Sequence, residues 1–152
     1  MTKIVLTNSQ IIMAGTAGIM RMAQFHARNG NPTHGLKKEE ITWDTWIEGC
    51  LTEFALAKHL NLHWEGTGIV GGGDVGKEEV RASEKHSNSL IIRETDDDNK
   101  RYWLLTGRDG SYYVHGYMYA KDAKQAKYLT DKGNGREKAY FVPQKDLIND
   151  QK

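Results

Sequence analysis

Apolar positions recur with a helical period in two stretches of the first sixty residues, and with the two-residue alternation of strands from residue 78 onward. A short apolar lead, Lys3-Ile4-Val5-Leu6, runs into Thr7-Asn8-Ser9, whose side-chain oxygens suit an N-cap. A helix is predicted from there to about Arg28, closed by Asn29-Gly30-Asn31-Pro32. It is apolar around most of its circumference. At ~100° per residue, Gln10, Arg21, Gln24 and Arg28 fall within one ~60° stripe, the wet edge of a largely buried helix or, for its two arginines, a face for a phosphate backbone. Asn31 to Glu40 is polar and reads as a loop. Thr42 then caps a second helix, Trp43 to about Leu60. With Trp46 set at zero, Cys50, Ala57 and Leu60 lie within ~40° of it, and Asp44, Glu48, Lys58 and His59 cluster opposite. Glu53 falls at about −20°, inside the apolar face. A carboxylate aimed into a core is costly unless a cation or donors meet it, so Glu53 is either satisfied there or belongs to a site.

Leu62 to Trp64 is a candidate short strand, followed by the glycine-rich stretch Gly66 to Gly76. Four strands are then predicted: Glu78 to Ser83, Ser89 to Glu94, Tyr102 to Thr106 and Tyr112 to Tyr119. Turn-forming residues separate them, notably Thr95-Asp96-Asp97-Asp98-Asn99-Lys100 and Gly107-Arg108-Asp109-Gly110, so an antiparallel meander is expected. A third helix is predicted over Lys121 to about Asp131, with Lys121, Lys124, Lys127 and Tyr128 on one face. A last strand, Ala139 to Val142, ends at Pro143, before a short helical turn or frayed tail.

The 152 residues suit one domain: residues 1–41 an N-terminal helix and loop, 42–143 a core, 144–152 a tail. A net charge of +1 means that any nucleic-acid footprint must be local. The single cysteine, Cys50, excludes an internal disulfide framework, and with the default reducing setting a cytoplasmic location is expected. Neither a signal peptide nor a membrane span is expected, since Thr16, Arg21, Gln24 and His26 interrupt the apolar run from Ile11 to Ala27.

The chemistry concentrates in Gly71-Gly72-Gly73-Asp74-Val75-Gly76-Lys77-Glu78-Glu79-Val80-Arg81. Residues two apart on a strand share a face, so Glu79 and Arg81 point one way and Val80 the other. A tight bend at Val75 to Lys77 would bring Asp74 beside Glu79, and a hard divalent cation relieves the repulsion between two such carboxylates. The carbonyl of Val80 is a further candidate ligand, and Glu53 a further carboxylate or the holder of a metal-bound water. Arg81 would hold the scissile phosphate or the attacking hydroxide. Glu78 competes with Glu79 for the inward position, because a slip of one residue exchanges them.

A helix with an inward carboxylate, then an aspartate, then a Glu-x-basic strand, more strands and a helix resembles the PD-(D/E)XK nuclease superfamily. The resemblance spans Trp43 to Val142. Gly49-Cys50-Leu51-Thr52-Glu53-Phe54-Ala55 is similar to the family's helix-borne glutamate motif, Asp74 to its metal aspartate, and Glu79-Val80-Arg81 to its Glu-x-Lys. Gln125-Ala126-Lys127-Tyr128 resembles the Gln and Tyr of some exonuclease-like branches. The resemblance implies an α/β (α+β) fold with a restriction-endonuclease-like αβββαβ core, a mostly antiparallel sheet flanked by helices, here with an extra N-terminal helix. It also implies hydrolysis of DNA through a Mg²⁺-activated water, with Mn²⁺ substituting, catalytic Glu53, Asp74, Glu79 and Arg81, and metal ligands drawn from Asp74, Glu79, Val80 and Glu53. Arg21, Arg28, Lys121, Lys124, Gln125, Lys127 and Tyr128 are the candidate DNA contacts, and a homodimer is plausible. Arginine where the family has lysine keeps its proton and cannot act as a general base. The alternative is therefore a catalytically impaired module that binds DNA or a protein partner. The glycine stretch lacks the Gly-Lys-Ser/Thr ending of a phosphate loop, and His59 and His63 have no third ligand in view.

Overall fold

The computed structural model describes residues 1–28, 41–66, 74–133 and 135–149. The predicted loop 31–40 and the glycines 71–73 lie outside them. Among the described residues the fold is mixed α/β, with three helices and two mostly antiparallel sheets, neither closed into a barrel.

After strand β1 (Thr2–Val5), helix α1 (Asn8–Ala27) starts at a capping box: the Thr7 hydroxyl accepts from Gln10 N, and the Gln10 carboxamide accepts from Thr7 N. Helix α2 (Trp43–Leu60) starts the same way, with Thr42 and Thr45. The helices pack against each other where Gly18 meets Ile47; a β-carbon at Gly18 would stand 2.6 Å from Ile47 Cα. Ala14, Ala17, Met22 and Phe25 are buried, whereas Ile12 and Met13 are 68% and 59% exposed, so the apolar girth of α1 is only half used. Its polar stripe turns toward α2: Lys58 donates to Gln10 Oε1 and Arg21 binds Glu53. Asn61, in the left-handed region at φ 55°, closes α2. The expected strand at Leu62–Trp64 does not form, because Trp64 folds back onto α2 with its ring against Phe54.

The first sheet has the order β1-β5-β4-β2, with β2 (Glu78–Ser83), β4 (Arg101–Arg108) and β5 (Ser111–Tyr119). The second joins β3 (Leu90–Ile92), β7 (Ala139–Val142) and β6 (Leu129–Thr130) in the order β3-β7-β6. The expected meander is thereby corrected. β2 lies parallel to β4, and residues 84–100 form the crossover that a parallel pair requires, with β3 carried off into the second sheet. One core, built on Trp103, Leu105, Tyr112, Val114 and Leu56, fills the space between the helices and the first sheet. The other, built on Tyr102, Leu104, Met118, Leu90 and Val142, fills the space between the sheets. A bulge opposite Leu104 and Leu105 shifts the alternation of β5, so Val114 serves the first core and Met118 the second.

The third helix is also shorter than its pattern suggested. α3 spans Ala120–Ala123, and the chain then passes through a 3₁₀ turn (Ala126–Tyr128) into β6. The Lys124 ammonium binds Glu94 O, Asp96 O and Asp98 Oδ1 at 2.9, 2.8 and 2.6 Å, which anchors the chain where a continuing helix would leave the sheet. After a 3₁₀ turn at Gln144–Asp146, Ile148 pairs with Tyr117.

Candidate metal centre at the edge of the first sheet

A two-residue turn builds the site. Val75 and Glu78 exchange both backbone bonds, at 3.1 and 2.9 Å, around Gly76 and Lys77. Gly76 has φ 59°, a conformation that glycine adopts without a Cβ clash. The residues flanking that pair are Asp74 and Glu79, which the turn sets side by side. Asp74 Oδ2 accepts from Val80 N at 2.8 Å, on the edge of β2 that β4 leaves open. The N–H and C=O of a strand residue point to the same side, so the Val80 carbonyl faces this edge as well.

Strand alternation divides the acidic residues. Glu78 turns toward the first core, where it accepts from Trp103 Nε1 at 2.6 Å and binds the Arg101 guanidinium. Its role is therefore structural. Glu79 and Arg81 point to the opposite side, toward Tyr102. The Glu79 carboxyl lies close enough to Asp74 to feel its charge, and its Oε1 lies 2.5 Å from Lys100 Nζ. Burial pushes its proton affinity above the usual carboxylate range; Lys100 opposes that shift and the charge of Asp74 adds to it. Burial likewise drives the Cys50 thiol up to about 12, so it is protonated at neutral pH.

Glu53 is buried, as its place on the helix wheel required, and its charge is met by Arg21. Arg21 Nη1 and Nη2 donate to the two carboxylate oxygens at 2.6 and 3.0 Å, and Trp64 Nε1 donates to Oε2 at 3.0 Å. Burial pushes this carboxyl up, while the Arg21 and Trp64 bonds pull it back. The charge of Asp74 acts on both glutamates. The site thus has a paired face, Asp74 with Glu79, and a sealed face, Glu53 with Arg21. Arg21 is committed to that pair rather than turned out toward a phosphate.

Arg81 also departs from its expected place. Its Nη2 binds Asp96 Oδ1 at 2.8 Å and its guanidinium stacks 4.7 Å from the Tyr102 ring centroid, so it fastens the crossover loop to β2. The expected basic face after the sheet is dispersed. Lys121 and Lys127 lie over the rings of Tyr119 and Tyr128, Gln125 donates to Asp122 O, and the Tyr128 hydroxyl donates to Asp146. The cause is the early end of α3, which removes the helical face that Lys121, Lys124, Lys127 and Tyr128 were to share. Arg28 is exposed at the end of α1.

Among the described residues no group of three or more His, Cys, Asp or Glu is disposed to hold a metal ion. The Val80 carbonyl accepts from Arg81 Nη1 at 3.5 Å, and the oxygens that come near each other are those of the Asp74 and Glu79 carboxylates. That set fits a cation that keeps several of its waters, as Mg²⁺ does, rather than one caged by protein. No family model matches the chain, and neither curated proteins nor solved structures give a match. No helix among the described residues is long and apolar enough to cross a membrane.

Proposed function

We propose that this chain is a metal-dependent nuclease hydrolysing phosphodiester bonds in DNA, with Asp74 and Glu79 holding Mg²⁺, or Mn²⁺ in its place, at the open edge of β2. The observation that carries this reading is the carboxylate pair, two acidic groups that flank a tight turn at the start of β2. Like charges so close need a shared proton or a cation beside them; the Lys100 ammonium on Glu79 meets that need in the free chain, and a divalent ion would take it over. When bound, a divalent ion neutralises charge on a phosphoryl oxygen and lowers the pKa of a coordinated water. In the hydrolysis itself a water oxygen adds to phosphorus, one P–O ester bond breaks, and the departing oxygen takes up a proton. The chain contributes position. The Val75–Glu78 turn sets the spacing of the two carboxylates, the Val80 amide orients Asp74, and the alternation of β2 puts Glu79 on the face opposite Glu78, with its side chain 13% exposed. A helix carrying Glu53, followed by the Asp74 turn and the Glu79-Val80-Arg81 strand, supports a restriction-endonuclease-like core, and a cytoplasmic setting belongs to the same reading.

A second reading, a module of this fold that binds DNA without cutting it, draws on one observation: Arg21 neutralises the third carboxylate, Glu53. The two part company when the purified protein is incubated with linear, nicked and single-stranded DNA in Mn²⁺, in Mg²⁺ and in chelator. Cutting is expected with metal and is expected to disappear in Asp74→Asn and Glu79→Gln. Cutting that survives both substitutions overturns the site assignment, and retention of DNA without cutting favours the second reading.

A further inference from the structure

The cation in contact with the carboxylate pair is not the arginine of the Glu-x-Arg triplet. Arg81 is tied to Asp96 and Tyr102, Arg101 to Glu78 on the other side of the sheet, and Arg21 to Glu53. Lys100 is different. The parallel register that sets Glu78 opposite Arg101 places Lys100, just before β4, on the same face of the sheet as Glu79, on the β4 side of β2 rather than at its open edge. From there its Nζ reaches Glu79 Oε1 at 2.5 Å, while the side chain keeps 30% of its surface in solvent. Its ammonium therefore touches one member of the carboxylate pair while the side chain stays partly open to solvent.

We infer that Lys100 is the phosphate-binding cation of this site: it neutralises Glu79 in the free protein and moves onto a non-bridging oxygen of the scissile phosphate when DNA binds. The inference rests on the nuclease reading above. Its chemistry is simple. A divalent ion and an ammonium compete for the same Glu79 oxygen, and a phosphate arriving with the metal gives the ammonium a new anion. A four-carbon stem with a compact charge can make that short transfer, whereas the stacked guanidinium of Arg81 would first have to leave Asp96 and Tyr102.

This competition separates the role from that of a surface ion pair. In Lys100→Met the rival cation is gone, so Mn²⁺ should bind severalfold more tightly by titration calorimetry, while metal-dependent cutting should fall by tenfold or more. Lys100→Arg should restore most of the cutting. Circular dichroism melts check that both variants are folded. With an active unsubstituted protein, Lys100→Met cutting within twofold of it, or Mn²⁺ affinity lowered together with cutting, overturns the inference and leaves the nuclease reading standing. An unsubstituted protein that neither binds Mn²⁺ nor cuts DNA overturns both.

Discussion

Replacing Arg21 with methionine keeps most of the side-chain stem against α2 and removes both bonds to Glu53. The carboxylate left behind is 6% exposed and retains one donor, Trp64 Nε1. Removing one partner of a buried ion pair costs about 3–5 kcal/mol, because the surviving charge keeps its desolvation penalty and loses its compensation. The retained Trp64 bond, together with the 15% exposure of Arg21, points to the lower end, about 3 kcal/mol. For a chain of this length each kcal/mol moves Tm by about 2–4 °C, so a fall of roughly 6–12 °C is expected in a thermal melt at neutral pH. The pH dependence carries a sign. Burial raises the Glu53 carboxyl above the 4.5 of an exposed glutamate, so the folded chain takes up this proton before the unfolded chain does. The protonated form is compatible with burial, so the Arg21→Met defect should be small at acid pH and grow as pH rises through the folded-state value. The double variant Arg21→Met, Glu53→Met removes both charges and should recover most of the loss. A Tm within 2 °C of the parent at pH 7, or a double variant no more stable than the single one, refutes the claim that Arg21 is what permits a buried Glu53.

Three further outcomes follow from neighbouring groups. Glu78→Gln weakens the charged bonds to Arg101 and Trp103 and should cost about 1.5–3 kcal/mol in urea denaturation while leaving metal-dependent cutting within twofold, since Glu78 faces away from the metal edge. Gly18→Ala inserts a methyl 2.6 Å from Ile47 Cα and should cost about 1–3 kcal/mol by the same assay. Burial, followed by the charges of His86 and the N-terminus, lowers the His115 imidazole below the usual 6.5, so its contribution is complete above that pH and lost as pH falls through the folded-state value. Scanning calorimetry from pH 7 to 5 should show a falling Tm, with a shallower fall in His115→Gln.

What the sequence conveyed depended on how local each feature is. The Thr7 and Thr42 caps, the end of α2, and β2 and β7 rest on neighbouring residues, and their boundaries are found where the pattern placed them. Pairing is a long-range choice. The chain therefore departs from the expected meander, since alternation predicts a strand but does not say whether β2 meets β3 or β4. Nor does helical periodicity reveal that Lys124 will be captured by three oxygens of a loop about thirty residues away. The inward position of Glu53 was legible, and its partner could have been sought as well: Arg21 is the one arginine within the apolar run of α1, Arg28 lying at its end, and a buried carboxylate needs a cation. The Glu79–Lys100 contact carries no such signal. It depends on the parallel register of β2 and β4, and no spacing in the chain announces that register.

Whether Asp74 and Glu79 together hold a divalent cation, as proposed, is open to direct measurement. A crystal of the protein soaked in Mn²⁺ and measured at the manganese absorption edge tests it most directly. The expected result is an anomalous peak between the two carboxylates, within coordinating distance of an oxygen of each, that is absent in Glu79→Gln. Soaked crystals with no peak there, or with manganese bound elsewhere and unaffected by the Asp74 and Glu79 substitutions, contradict the account.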